Sequence, residues 1–329
     1  MHPSSRFRAA LVVVTFAALL GYWGLSDFFG KEIVSEIAIF AILAMSLDLV
    51  AGYSGMVSLM HGALLGFGAY IYALLATKWG ISPPVAMLAA SAATGFVALV
   101  IGGAVSRVRG VFFIMATLAI GEMGYEYFFQ SKTFGGDDGF AGIPRLDLSS
   151  LGIDTSDTAS FALVVIVMAM IVYVLMSRLL KSPYGWALVG IHENEMRMRA
   201  LGLPTRLYKT SALAVSGVIA GFAGTLTAMH TQFITPQLLH WTTSGEVLIM
   251  VILGGLGTLI GPVIGASIVI LLRHQLSSYT DYWGFWLGLL LIVVVVSKSN
   301  GVVGWLCDVW TRFTSRRSAG EQGERNAAR

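Results

Sequence analysis

The feature that most constrains this 329-residue chain is a succession of apolar stretches about twenty residues long, separated by short polar segments. A helix needs about 20 apolar residues to cross the hydrocarbon core of a bilayer, because each residue advances it by about 1.5 Å. Only 12% of the residues are charged, against about 25% in an average soluble domain. The sequence therefore excludes a soluble globular protein and predicts an all-α, polytopic transmembrane helical bundle.

Nine apolar runs bounded by Gly, Pro or charge are candidate spans. The eighth run is too long for one simple span, and four glycines (Gly254, Gly255, Gly257 and Gly261) and Pro262 interrupt it. We therefore expect two short helices with a break between them there, and about ten spans in all. The runs cover residues 9–29, 33–50, 56–76, 84–105, 111–129, 159–180, 211–230, 246–272 and 282–296.

The placement of Lys and Arg indicates the orientation of these spans, because cytoplasmic loops retain positive charge. With the N-terminus inside and ten spans, 16 of the 21 basic residues lie on the cytoplasmic side; the exceptions are Lys31, Lys78, Lys132, Arg145 and Arg273. An odd number of spans would put the Arg-rich C-terminal segment outside. We therefore expect both termini in the cytoplasm. The N-terminal run also resembles a signal peptide, but no convincing cleavage site follows, so we interpret it as an uncleaved first span.

These patterns divide the chain into a transmembrane domain, residues 1–311, and a polar tail, residues 312–329, for which we predict a disordered cytoplasmic segment. Two connections stand out, a cytoplasmic loop at 181–210 and an external loop at 130–158. A single cysteine, Cys307, excludes a disulfide within the chain and a Cys-based metal site. We interpret it as a small packing residue, and we expect no metal site and no nucleic-acid partner.

Six ionisable side chains lie within or at the ends of predicted spans. A carboxylate at the centre of a membrane helix costs about 2.5 to 3.5 kcal/mol on insertion scales, so we expect these groups to point away from lipid and regard them as candidates for a translocation path. Two of the acids, four residues apart, share one helix face, where they either line an aqueous path or pair structurally within the bundle. A lone His is more typical of hydrogen-bonded packing than of a proton relay. The six are Glu36, Asp48, His61, Glu122, Glu126 and Glu246.

Small residues recur about one helical turn apart in two later runs. Glycines with this spacing form a groove into which another helix packs closely. We expect ordinary helix packing inside this chain, with a subunit interface or a moving gate as the alternative. The first run contains Gly217, Gly221 and Gly224, and the second contains Gly257, Gly261 and Gly265.

The loop at 181–210 predicts a short polar helix over residues 193–201. Acidic residues lead and basic residues trail, as the helix dipole favours, and Gly202 followed by Pro204 is typical of a helix end. Such a helix outside the bilayer is either a solvated connector or a docking surface for a cytoplasmic partner. Its candidate contact residues are Glu193, Asn194, Glu195, Arg197, Arg199, Ala200 and Gly202.

The same loop resembles a known signature. The stretch "SPYGWALVGIHENEMRMRALGLPTRLYKTSALAVSGVIAGFAGTL" is similar to that of the branched-chain amino acid permease family of ABC importers, and in particular to its LivM-type subunits. The segments "LDLVAGYSGMVSLMHGALLGFGAY", "FFIMATLAIGEM" and "LIMVILGGLGTLIGPVIGA" resemble further parts of the family in the same order. The resemblance extends from about residue 33 to residue 296.

The resemblance implies a transport subunit of a bacterial inner membrane rather than an enzyme. It implies four kinds of partner: a LivH-like sister permease, two cytoplasmic ATPases that use ATP and Mg, a periplasmic solute-binding protein that docks around residues 134–144, and the membrane itself. It further implies that residues 193–202 form the coupling helix that meets the ATPases, and that this chain binds no cofactor. Within the family, import of urea or aromatic acids is the alternative to branched-chain amino acids. Outside it, a proton-coupled secondary amino acid carrier is the main rival, and a polytopic enzyme is weaker.

Overall fold

The computed structural model describes residues 5–146, 155, 157–280, 282–296 and 301–305, and over these ranges the chain is a bundle of long helices. The predicted tail at 312–329, Cys307 and residues 147–154 of the external loop lie outside the described residues. The α-helices are α1 (Ser5–Leu25), α2 (Phe28–Asp48), α3 (His61–Ala73), α4 (Pro83–Val105), α5 (Val111–Gln130), α6 (Thr158–Lys181), α7 (Pro183–Ala200), α8 (Thr205–Thr231), α9 (Trp241–Gly254), α10 (Ile260–Ser277) and α11 (Trp283–Val296).

Six helices among the described residues are long and apolar enough to cross a bilayer. Two further apolar helices, Leu11–Leu25 and Trp241–Gly254, are shorter. Each predicted span contains a helix, and 246–272 is divided between α9 and α10. The six long ones are Phe28–Tyr53, Pro83–Val105, Val111–Gln130, Thr158–Lys181, Thr205–Thr231 and Ile260–Ser277.

Helices α2 and α8 form the centre of the bundle. Helix α2 is buried along almost its whole length and continues through a π-helical turn, Leu49–Tyr53. It packs against α6, α8, α9 and α10, while α8 packs against α3 and α4. The core is therefore built around two helices whose small and aliphatic side chains allow neighbours on several sides.

The prediction that the third span begins at residue 56 is wrong. Residues 54–60 are not helical, and α3 begins at His61. Several residues of this segment are apolar, which is why the sequence pattern extended the span through it. Gly55 has a φ of +71°, a conformation that side-chain-bearing residues rarely adopt, so the chain turns here before α3 begins.

Within the described ranges, a short pair of strands departs from an all-α fold. A two-residue strand in the loop at 130–158, β1 (Phe140–Ala141), pairs antiparallel with β2 (Phe233–Ile234), which follows α8. The bridge attaches the loop after α5 to the connection between α8 and α9.

The first set of predicted glycines packs α8 against two neighbours inside this chain. A Cβ on Gly217 would collide with Ala98 of α4, and a Cβ on Gly224 would collide with the Leu65 carbonyl of α3. On Gly221 the added carbon would lie about 2.5 Å from Thr94 of α4. These three positions are buried and occupied by neighbouring helices.

The second set packs α9 against α10, with one exception. A Cβ on Gly265 would collide with the Met250 carbonyl, and Gly261 lies against Gly254, so the two helices form a tight antiparallel pair. Gly257 is not part of this groove. It lies in the turn between the helices with a φ of +73°, so the expectation that it packs within a helix is wrong.

Candidate functional site

The predicted polar helix at 193–201 is the second half of a longer, interrupted helix. Helix α7 breaks at Asn194, whose φ of −159° and ψ of 92° are not helical. The Asn194 side-chain oxygen accepts a hydrogen bond from the Arg197 backbone N–H at 2.9 Å and so caps the helix that follows. We call residues 194–202 the tip segment.

The tip segment ends in a helix stop of the predicted kind. Gly202 has a φ of +86°. Its N–H donates to the Arg199 carbonyl, and the Leu203 N–H donates to the Met198 carbonyl. This pair of hydrogen bonds satisfies carbonyl groups that the helix end would leave unpaired.

Glu195 fixes the tip segment to the rest of the bundle. Its carboxylate pairs with Arg199 at 2.6 Å, Lys209 at 3.0 Å and Arg109 at 3.1 Å. The Glu195 and Lys209 side chains are only 11% and 6% exposed. Partial burial raises the pKa of the Glu195 carboxyl, but the Lys209 hydrogen bond and the charges of Lys209, Arg109 and Arg199 outweigh it and bring the pKa below its ordinary value.

Glu195 therefore points into the protein, unlike Glu193 and Arg197. Glu193 and Arg197 are exposed, as is Ala200. Two apolar side chains share this surface, Met196 at 67% exposure and Leu201 at 70%. The outer surface of the tip segment thus combines charged groups with solvent-exposed apolar groups.

A histidine that we did not predict as a contact connects α7 to the end of α2. The His192 Nδ1–H donates to the Gly52 carbonyl at 2.9 Å. The His192 ring also lies against Gly55, where a Cβ would be 2.7 Å from the ring carbon. The close approach of His192 thus depends on the absence of a side chain at Gly55.

Asp48 connects the turn after α2 to the turn between α9 and α10. Its Oδ1 accepts from the Gly257 N–H at 2.7 Å and its Oδ2 from the Leu259 N–H at 3.1 Å. Gly52 permits this approach, because a Cβ there would collide with both Asp48 and Gly257. Asp48 is fully buried and lines neither of the two cavities described here, and the contacts it makes are those of a structural acceptor.

His61 is a buried packing residue in this structure. The Ser216 hydroxyl donates to the Ser46 carbonyl at 2.7 Å, so the hydrogen bond of 2.8 Å between His61 Nε2 and Ser216 has His61 as its donor. His61 Nδ1 is buried without a hydrogen-bond partner. The side chain lines neither cavity.

The pair on α5 is also separate from the cavities. Glu122 accepts a hydrogen bond from the Trp241 backbone N–H at 3.0 Å and so orients the start of α9. Glu126 is exposed and accepts from Gln130 at 2.5 Å. Neither side chain lines either of the two cavities, although Tyr125 between them does.

The two remaining acids, Glu36 and Glu246, line a cavity of about 480 Å³ that we call the distal cavity. Glu36 is 12 residues before Asp48 on α2, or about 18 Å along the helix. The distal cavity is therefore at the end of the bundle opposite to the tip segment. A smaller cavity of about 240 Å³ lies beside the tip segment and includes Glu195 and His192.

Arg273 of α10 connects the two acids of the distal cavity. It pairs with Glu36 through Nη2 and reaches Glu246 through Nη1 at a longer 3.4 Å. Glu36 also accepts from His274 Nε2 at 2.8 Å. Nearby, His230 Nε2 lies 3.3 Å from Glu32. Two carboxylates in the cavity wall thus share one permanent cation.

Arg273 was predicted only as an external charge, and His274 was not predicted at all. The sequence could have indicated that Arg273 is paired. It is the one Lys or Arg in the apolar sequence of α10, and a charged residue in a membrane helix needs a partner. Its partner could not be identified, since Glu36 lies 237 residues away in sequence. Among the described residues, no group of three or more His, Cys, Asp or Glu side chains is placed to hold a metal ion.

Comparison with known proteins identifies the family. Residues 31–295 match the family model described as the branched-chain amino acid transport system / permease component. The chain is 30% identical over 298 residues to the high-affinity branched-chain amino acid transport system permease protein LivM of Escherichia coli, covering 83% of this chain and 69% of that protein. The corresponding protein of Salmonella typhimurium is 31% identical over 299 residues, with the same coverage of 83% and 69%.

A more distant relative is the probable branched-chain amino acid transport permease protein LivM of Methanocaldococcus jannaschii, 26% identical over 160 residues that cover 44% of this chain and 46% of that protein. A search of solved structures found no significant match. Together with the apolar helices, these matches show a multi-pass membrane transport component. The chain belongs to the permease family of branched-chain amino acid transport systems.

Proposed function

We propose that this chain is a translocation subunit of an ATP-driven importer for branched-chain amino acids in a bacterial inner membrane. Family membership and the names of the relatives support this substrate class over urea or aromatic acids. The proposed arrangement has about ten spans with both termini in the cytoplasm. The tip segment is then cytoplasmic and the distal cavity is on the outer side.

The observation that carries this proposal is the surface of the tip segment. Glu195 anchors the segment from within, while Met196 and Leu201 are solvent-exposed on its outside. Exposed apolar groups beside charges are typical of a protein interface. This surface is suited to a cytoplasmic ATPase that uses ATP and Mg, and a proton-coupled carrier would have no use for it.

The remaining partners follow from the same assignment. A sister permease would complete the translocation path, and a solute-binding protein would deliver the solute at the outer side. The turn carrying Asp137 and Asp138 is exposed there and is held to the bundle by Phe134, which is buried against Phe128 and Tyr70. We infer that this turn is part of the surface on which the binding protein docks.

The test is uptake of radiolabelled leucine by proteoliposomes that contain the whole importer, with ATP and the binding protein omitted in turn. We expect uptake only when both are present. Met196→Glu should abolish uptake and ATPase stimulation while leaving the membrane subunits assembled. The control is Glu126→Gln, at an exposed acid of α5 outside the tip segment, which should leave uptake unchanged. Uptake without ATP would contradict the proposal.

A further inference from the structure

The distal cavity has more acceptor capacity than its own cation uses. Glu36 and Glu246 line it with Arg273. Glu36 is paired with both Arg273 and His274. Among the described residues, Arg273 is the only side chain that forms an ion pair with Glu246. Glu246 is therefore the carboxylate of this group with free acceptor capacity.

The pair between Glu246 and Arg273 is also long. Its 3.4 Å separation exceeds the roughly 2.7 to 2.9 Å of a charge-assisted hydrogen bond. Arg273 remains held by Glu36 on its other side, so its position does not depend on Glu246. A ligand can therefore separate Glu246 from Arg273 without releasing the arginine from the wall.

The rest of the cavity is suited to an aliphatic group. Ile39 and Phe40 of α2 and Leu238 of the α8–α9 connection contribute to its wall. Its volume of about 480 Å³ is in the roughly 300 to 1,000 Å³ range of small-molecule sites. Opposite charges at one position and apolar surface at another match an amino acid with an aliphatic side chain.

We propose that the distal cavity binds the solute as a zwitterion inserted between Glu246 and Arg273, which rests on the function proposed above. The α-ammonium group contacts Glu246, the carboxylate contacts Arg273 Nη1, and the side chain lies against the apolar wall. Insertion replaces one long ion pair by two and leaves the net charge of the cavity unchanged. An anion alone would leave Glu246 uncompensated, and a cation alone would leave Arg273 Nη1 without an acceptor.

Binding at this site is weak, because the ligand competes with an existing ion pair and a transport path must release its solute. The suitable measurement is saturation-transfer NMR on the assembled importer in lipid nanodiscs, without the binding protein and without nucleotide. The probes are L-leucine, its des-amino analogue 4-methylpentanoate and its decarboxylated analogue 3-methylbutylamine, at equal millimolar concentrations.

We expect a leucine signal from the unmodified importer and signals about tenfold weaker from both analogues, since each lacks one charge-assisted contact. Glu246→Gln should weaken the leucine signal about tenfold. Glu126→Gln, at an exposed acid of α5 outside the cavity, should leave it unchanged. A leucine signal that came from binding to other subunits would not change in the Glu246→Gln importer.

Equal signals from leucine and 4-methylpentanoate would overturn the proposal, as would an unaltered leucine signal in Glu246→Gln or no leucine signal from the unmodified importer. The analogue series needs no variant, so the proposal stays testable if Glu246→Gln does not assemble. Uptake by the same preparation separates the two proposals. A preparation that transports leucine with ATP but fails these tests contradicts the zwitterion site alone, whereas one that transports without ATP contradicts the importer function.

Discussion

The tip segment and the distal cavity use the same kinds of side chain in opposite proportions. At the tip segment one carboxylate, Glu195, receives three cations at 2.6 to 3.1 Å. At the distal cavity two carboxylates, Glu36 and Glu246, share the single permanent cation Arg273, and one of the two pairs is stretched to 3.4 Å. An excess of cations fixes a carboxylate in place, whereas an excess of carboxylates leaves acceptor capacity for a ligand.

The difference predicts that a change at Glu195 in the tip segment acts on stability, whereas a change at Glu246 in the distal cavity acts on transport. A buried, well-paired ion is costly to break, because its partner is left uncompensated. A long pair that remains in reach of water contributes less to stability, because water replaces part of the lost contact.

The largest effect is expected for Glu195→Lys. It would leave Lys209, which is almost fully buried, beside Arg109, Arg199 and a new positive charge. We expect the free energy of unfolding to fall by about 3 to 5 kcal/mol. It is measured by titrating the protein in mixed micelles with a denaturing detergent. The control is Glu193→Lys, two residues earlier and exposed, which should unfold like the unmodified chain. Equal losses in both variants would mean that Glu195 is not an anchor.

Asp48→Asn should rank second and extends the comparison to a carboxylate bound only by backbone groups. The amide oxygen can accept from one of the Gly257 and Leu259 N–H groups, but the amide NH₂ would face the other. One buried N–H left unsatisfied costs about 1 to 3 kcal/mol. The same micelle titration measures it, and an unchanged midpoint would show that Asp48 does not hold the junction.

Glu246→Gln should change stability by less than about 1 kcal/mol, because the pair with Arg273 is long and partly exposed. Leucine uptake by the reconstituted importer should nevertheless fall about tenfold if one charge-assisted contact to the solute is lost. If Glu246→Gln lowered the free energy of unfolding, and uptake fell only in proportion to the folded fraction, the proposed difference between the two regions would be wrong.

The smallest effect concerns pH at the tip segment. The pKa of Glu195 is below its ordinary value of 4.5, so its contribution to stability is complete above that value and is lost as the pH falls through the lower pKa of the folded state. The difference in melting temperature between the unmodified chain and Glu195→Gln should therefore be constant near neutral pH and shrink below about pH 4.5. The difference for Glu193→Gln should stay near zero throughout. If the difference in melting temperature between the unmodified chain and Glu195→Gln became larger on acidification, the ion pairs assigned to Glu195 would be wrong.

The sequence predicted the helices well because their signals are local. Apolar runs of membrane length and the glycine-rich break at 255–259 depend on residues close together in the chain. The same local rules failed at Gly257, where a spacing of four residues agreed with a helix although the chain turns. They failed again at residues 54–60, where apolar composition extended a helix through a non-helical segment.

The candidate sites could be predicted as residue types but not as partners. Glu36 and Glu246 were identified because carboxylates within membrane helices need polar surroundings. Their shared cation, Arg273, comes from a third helix, so no local spacing connects the three. From the sequence, Glu195 was predicted as a contact residue of a docking surface. Only the folded positions of Lys209 and Arg109 reveal that it points inward.

The junction at Asp48 has a mechanical consequence. It ties the reversal after α2 to the turn between α9 and α10, and His192 attaches to it through Gly52. The three charged residues of the distal cavity are carried by those same helices, with Glu36 about 18 Å along α2 from the junction. A tilt of about 5° about this pivot would displace Glu36 by about 1.5 Å over that lever arm. A small rotation entering at His192 is therefore large enough to open or close a pair now separated by 3.4 Å.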